Sequence, residues 1–116
     1  MKYDLEERVE KYGEAIIEFA QKISLSSVTK PLLEQLVRSG TSIGANYFEA
    51  NGASSKKDFI NKIYICKKES KETQHWLRMV AKSNSSIKSK ARYLFSEALQ
   101  LGMIFSSIIT KTKNKI

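Results

Sequence analysis

A chain of 116 residues, 41% of them apolar, is sized for one domain (residues 1–116) with a core of its own. Its single cysteine, Cys66, excludes an intrachain disulfide framework, and no uninterrupted apolar run approaches the roughly 18–20 residues of a membrane span. The opening MKYDLEERVEKYGE lacks the apolar stretch of a signal peptide, so the expectation is a soluble cytoplasmic protein.

The net charge of +8 is unevenly spread. Residues 1–23 hold six acids and four bases, whereas residues 56–116 hold fourteen bases and four acids. A basic half fits an anionic partner, nucleic acid or a membrane surface. A basic pI that only aids solubility fits it equally well.

Four segments carry apolar residues at alternating steps of three and four, the mark of packed helices. The first, about residues 4–23, reads Leu5, Val9, Tyr12, Ile16, Phe19, Ile23 and fades in the serine-rich SLSSVTK. Pro31 starts the second (about 31–51), because a missing N–H costs nothing in a first turn. Its stripe is Leu33, Leu36, Gly40, Ile43, Tyr47, Ala50. Gly40 and Gly44, one turn apart, permit a close helix approach. Asn51-Gly52 supply a stop, since both tolerate the left-handed conformation.

Ser55 and Asp58 have capping-box spacing and open the third helix, about 56–82. It carries Phe59, Ile63, Cys66, Ser70, Thr73, Leu77 and Val80 on one face. SNSS (83–86) breaks it. The fourth, about 87–112, reads Ile87, Ala91, Leu94, Ala98, Leu101, Phe105, Ile108, with KTKNKI as a frayed tail. Long helices joined by short loops predict an all-α, antiparallel up-down-up-down four-helix bundle.

Helix four carries more apolar surface than one seam needs: Phe95, Leu99, Met103 and Ile109 lie beside its main stripe, as Val37 and Phe48 do on helix two. A monomer rarely leaves a large apolar patch in water, so a homo-oligomer is expected. The alternative is a core that simply needs wide stripes.

Four constellations could carry chemistry. Glu72-Thr73-Gln74-His75 is half of a ferritin-like di-iron motif, but the chain has one histidine, and both ligands point away from the core. No metal site follows. Cys66 falls on the core stripe without a histidine beside it, so it reads as a small buried hydrophobe.

The third is a stripe opposite the core of helix three: Lys57, Asn61, Tyr64, Lys68, Lys71, His75, Arg78 and Lys82, with Lys67 at its edge and no acid within it. Lysines interleaved with an aromatic are what surfaces touching nucleic acid often present. Such a stripe would contact phosphates with salt-sensitive, weakly sequence-selective affinity. The bland reading is a solvated lysine face tied by Lys68–Glu72 pairs across one turn. The cluster Lys82, Lys88, Lys90, Arg92 extends the basic surface. A membrane surface would want large apolar residues beside the stripe, which offers only Tyr64, so no membrane partner is read.

The fourth is a polar strip on helix two, Ser42, Asn46 and Glu49, beside the core stripe rather than opposite it. It reads as structural, fixing register within or between subunits by hydrogen bonds. A catalytic reading of Glu49 finds no second acid, ligand set or nucleophile to support it. No catalytic residue and no cofactor is assigned.

Residues 35–79 resemble the 23S rRNA intervening-sequence protein family, also called "four helix bundle protein". The landmarks are Leu36 and Arg38, Ser42-Ile43, Ala45-Asn46, Glu49-Ala50, Ser55, Lys57, Phe59-Ile60, Ile63, Ile65, Ser70, Glu72 and Trp76-Leu77. Members commonly carry Pro where this chain has Gly44, which implies a straighter or more flexible segment here. The resemblance implies a bundle assembled as a ring-shaped homopentamer, with no established enzymatic activity. The family in turn resembles the accessory variability determinant of diversity-generating retroelements, a basic pentamer that works with a reverse transcriptase and nucleic acid. The expectation is therefore a non-enzymatic, oligomeric RNA- or DNA-binding protein. The alternative is an assembly or adaptor protein whose main partner is another protein, such as a reverse transcriptase.

Overall fold

The computed structural model describes residues 4–115. It contains α1 (Leu5–Gln21), α2 (Thr29–Asn51), α3 (Lys56–Ser83), a 3-10 turn at Ser85–Ile87 and α4 (Lys88–Lys113). No strand occurs among the described residues.

Local chemistry sets the helix ends. Asp4 caps α1 by accepting from the Glu6 amide. The start of α2 lies earlier than Pro31, because the serine loop caps itself. Ser26 Oγ accepts from the Val28 and Thr29 amides at 3.2 and 3.0 Å, while Thr29 Oγ1 accepts from the Ser26 amide at 2.9 Å. This is a reciprocal cap with threonine in the place of the usual glutamate. Pro31 is then carried inside the first turn.

Asn51 does end α2, but not through a left-handed residue. Gly52 has φ −101°, and no described residue has positive φ. Its amide donates instead to the Glu49 carbonyl at 3.1 Å, tightening the last turn. Ser55 Oγ accepts from the Asp58 amide at 3.0 Å and starts α3.

The inward stripes meet in one core. Ile16, Leu36, Ile43, Ile63, Leu77, Leu94, Leu101 and Phe105 are fully buried. Burying each such side chain contributes about 1.5–3 kcal/mol. One expectation reverses at the end of α4, where Ile109 is buried and Ile108 only half-buried. A helix of 3.6 residues per turn drifts from a strict seven-residue repeat, so the stripe steps from Phe105 to Ile109.

Cross-helix contacts run in opposed numbering throughout. Gly40 meets Ile16 and Gly44 meets Val9. Thr73 meets Ser39 and Lys62 meets Glu49. Arg78 meets Phe95 and Lys113 meets Tyr64. Helix α3 packs extensively on both α2 and α4, whereas α1 leans mainly on α2 and its backbone makes no close approach to α3. The thin α1–α4 seam is tied by polar groups. Arg8 donates to both oxygens of Glu97 at 2.8 and 2.9 Å, and the buried Tyr12 hydroxyl donates to the Leu94 carbonyl at 2.8 Å.

The segment Ser85–Lys113 is long and, on average, apolar enough to cross a membrane, although no uninterrupted apolar run within it approaches that length. Its length and composition also suit a core helix, and Leu94, Ala98, Leu101, Phe105 and Ile109 are buried among the other helices.

Gly40 and Gly44 both face α1, but not equally. A β-carbon at Gly40 would lie 2.9 Å from Ile16 Cγ1 and 3.2 Å from its Cβ, whereas one at Gly44 would reach Val9 O at 3.4 Å. Gly40→Ala is therefore expected to lose about 1–2 kcal/mol, as overpacking outweighs the gain in helix propensity. Gly44→Ala is expected to be neutral or slightly stabilising. Urea unfolding of the two variants checks this, and equal stabilities would refute the tight contact at Gly40.

Candidate nucleic-acid interface

Helix α3 is 28 residues long, and its acids and bases sort onto different flanks. Two of its three acids turn toward α2. Arg38 Nη1 lies 3.3 Å from Glu69 Oε1, its Nη2 binds Glu72, and Gln35 Oε1 accepts from its Nε at 3.2 Å. Glu69 is buried, with 9% of its side chain exposed, while Arg38 is 46% exposed. The Lys68–Glu72 pairing considered for a bland lysine face is thus replaced by Arg38–Glu72.

The opposite flank holds the stripe. Lys57, Asn61, Tyr64, Lys68, Lys71, His75, Arg78 and Lys82 are exposed, and Lys67 is half-buried. Among the described residues, no carboxylate lies within ion-pair distance of Lys57, Lys67, Lys68, Lys71, Arg78 or Lys82. Arg78 lies over the Phe95 ring at 5.5 Å, which leans it onto α4. His75 meets Trp76 edge-on at 4.7 Å. With Glu72 held by Arg38, the two ends of the Glu-x-x-His half-motif serve different contacts.

The acidic N-terminal region forms a counterpart. Glu7, Glu10, Glu14 and Glu18 are exposed on α1, whose backbone makes no close approach to α3. One side of the bundle is therefore acidic and the side across from it basic.

Ser42, Asn46 and Glu49 are partly or fully exposed. Ser42 Oγ donates to the Arg38 carbonyl at 2.6 Å and Asn46 Nδ2 to the Ser42 carbonyl at 2.9 Å, both within α2. Only Glu49 reaches another helix, accepting from Lys62 Nζ at 2.8 Å. The groups that cross from α2 to α3 in the core are others. The Ser39 and Thr73 hydroxyls lie 3.0 Å apart, and Cys66 Sγ lies 3.6 Å from the Ile43 carbonyl. Burial pushes the Cys66 thiol up to about 12, so the thiolate needed for nucleophilic chemistry is suppressed. Spacing places Thr73 on the core stripe and could have flagged Ser39 as well, but not their contact.

The tail expected to fray is also engaged. Helix α4 runs through Lys113, whose Nζ donates to the Tyr64 hydroxyl at 2.7 Å, and Lys56 Nζ donates to the Lys115 carbonyl at 2.6 Å. Two lysines from outside the stripe thereby gather at its head.

Arg38→Ala leaves the buried Glu69 carboxylate without its cation. It is expected to cost about 1–3 kcal/mol in urea unfolding. Adding Glu69→Gln should recover part of that loss, because a neutral amide is cheaper to bury. Purely additive losses in the double variant would show that the two side chains are not coupled.

The model of the 23S rRNA-intervening sequence protein family matches residues 2–107. A crystal structure of a protein of unknown function from the S23 ribosomal protein family, from Bacteroides thetaiotaomicron VPI-5482, superposes with a TM-score of 0.79. It is 28% identical and is covered over 98% of its length, against 91% of this chain. No curated protein matches the chain. With α1, α2, α3 and all but the end of α4 spanned by the family model, this chain belongs to the 23S rRNA-intervening sequence protein family.

Proposed function

We propose that this chain is a non-enzymatic, oligomeric nucleic-acid-binding protein that meets RNA or DNA phosphates through the outer flank of α3. The observation that carries this is the charge sorting on α3. Arg38 draws Glu69 and Glu72 to the α2 side, and the stripe from Lys57 to Lys82 is left without a carboxylate partner among the described residues. Unpaired lysines and an arginine on a rigid helix offer counterion release at little reorganisation cost. The acidic face of α1 repels the same polyanion, so binding is one-sided. The scaffold is a single domain, an antiparallel up-down-up-down bundle working in the cytoplasm, a reading supported by the opposed numbering of the cross-helix contacts.

Self-association draws on exposed apolar groups. Ile109 is buried, and Phe95 and Val37 are half-buried, so the surplus narrows to Leu99 (47% exposed) and Met103 (66%) on α4 and Phe48 (69%) on α2. Phe95, Gly102 and Lys113 all abut α3, and Leu99 lies one turn from Phe95 and Met103 on the same flank. Membership of the family supports a ring of five copies. Leu99→Gln with Met103→Gln is expected to shift the assembly toward monomer in sedimentation velocity. An unchanged sedimentation coefficient would remove this flank from the interface.

Phe48 favours a second reading, because it is exposed on α2, away from the stripe. An assembly or adaptor protein would use such a residue to hold another protein, such as a reverse transcriptase. The two readings part in one experiment. Lys68→Glu, Lys71→Glu and Arg78→Glu together should weaken oligonucleotide binding and lower the slope of log K against log salt by about 2 for a single strand. Unchanged affinity and slope would sink the nucleic-acid assignment.

A further inference from the structure

The stripe begins in a groove that its own helix does not complete. Lys56, Lys57, Ile60, Asn61 and Tyr64 of α3 and Lys113 of α4 line an open groove of about 530 Å³ where the start of one helix meets the end of the other. Three ammonium groups line it, and no carboxylate does. Ile60 gives it an apolar floor, and the Asn61 amide offers both a donor and an acceptor. The Tyr64 ring is 42% exposed, and its hydroxyl accepts from Lys113, with that ammonium 5.1 Å from the ring centroid. A partner's phosphate therefore meets a ring already oriented. A second hollow, about 340 Å³, lies farther along beside Arg78, Lys88, Arg92 and Phe95, but its ring is half-buried with the Arg78 guanidinium over it.

We infer that this groove takes one unpaired nucleotide of a single strand, its base stacked on Tyr64 and its phosphates held by Lys56, Lys57 and Lys113. The inference rests on the reading of the stripe as a phosphate-binding face and names the form of nucleic acid that the face prefers. A duplex keeps its bases stacked inside and presents only phosphates, so it would use the lysines and leave the ring idle. A single strand can use both, and every base has a π-face, so the site discriminates strandedness rather than sequence. Asn61 is placed to add a hydrogen bond to a base edge. An acidic polypeptide would satisfy the same lysines but has no use for the ring beyond burial.

The test compares a fluorescent single-stranded oligonucleotide carrying 2-aminopurine with the corresponding blunt duplex, using the full chain in one buffer. Tyr64→Ala should weaken the single strand about tenfold, the scale of one lost stacking contact, and leave the duplex within about twofold. Tyr64→Phe should keep most of the single-strand affinity and the quenching of 2-aminopurine, since the ring is retained. Lys113→Met should weaken both. Equal loss for single strand and duplex in Tyr64→Ala, or no loss for either, overturns the groove assignment. If polyglutamate displaced the oligonucleotide as well as an unlabelled single strand does, the groove would belong to an acidic protein and the inference would fall. The charge-reversal variant separates the two levels. When it loses binding while Tyr64→Ala does not, the phosphate-binding face stands and only the groove fails. When neither loses binding, both fail.

Discussion

Arg38 sets the charge map of the molecule. From α2 it holds Glu69 and Glu72, two of the three acids of α3, on the side where those helices pack. A guanidinium can engage two carboxylates because its donors are spread over a planar fork, which a lysine ammonium cannot match. Glu69 is nearly buried and would be costly to leave without a cation, so the pair also pins the α2–α3 register. With those acids engaged inward, the outer flank of α3 is left to lysine, arginine, histidine and tyrosine. The fold and the candidate interface therefore depend on the same contact.

Close packing reinforces that arrangement with small residues at chosen points. Gly40 lets α1 approach until Ile16 would crowd an added β-carbon, whereas one at Gly102 would stand in ordinary contact with Ser70. The Ser39–Thr73 hydroxyl pair adds a polar contact inside an otherwise apolar seam. In such a core an unsatisfied hydroxyl would be penalised, so the pair favours one alignment of α2 against α3. Helix α1 stands apart. It rests on α2, and its weaker seam with α4 relies on Arg8–Glu97 and on Tyr12 reaching the Leu94 carbonyl. Burial raises the Tyr12 phenol well above its ordinary value, which keeps that donor protonated through the physiological range.

Several features were legible from spacing because they depend on periodicity alone. The stripe from Val9 to Phe19 and the run from Ile63 to Val80 fall on the inward faces of α1 and α3, as steps of three and four require. The exposure of the basic residues on α3 follows from the same arithmetic, since a residue opposite the core faces water. The departures occur where a small local competition decides. Thr29 replaces glutamate in the cap of α2, so the helix starts before Pro31. Gly52 ends α2 with negative φ, because a tightened last turn satisfies its amide. Accumulated helical drift exchanges Ile108 for Ile109 in the core.

The sequence by itself determined four helices, which residues each turns inward, and a stripe of like charge on the longest of them. Those properties are encoded within single helices, where neighbours three and four apart share a face. Only the tertiary structure decided the partners between helices. Arg38 takes Glu72 away from Lys68, and Lys113 joins Tyr64 across 49 positions of chain. Residues so far apart in sequence come together only when the seams of the core fix how far one helix slides along another. That registry is a property of packing between surfaces, and no single helix carries it.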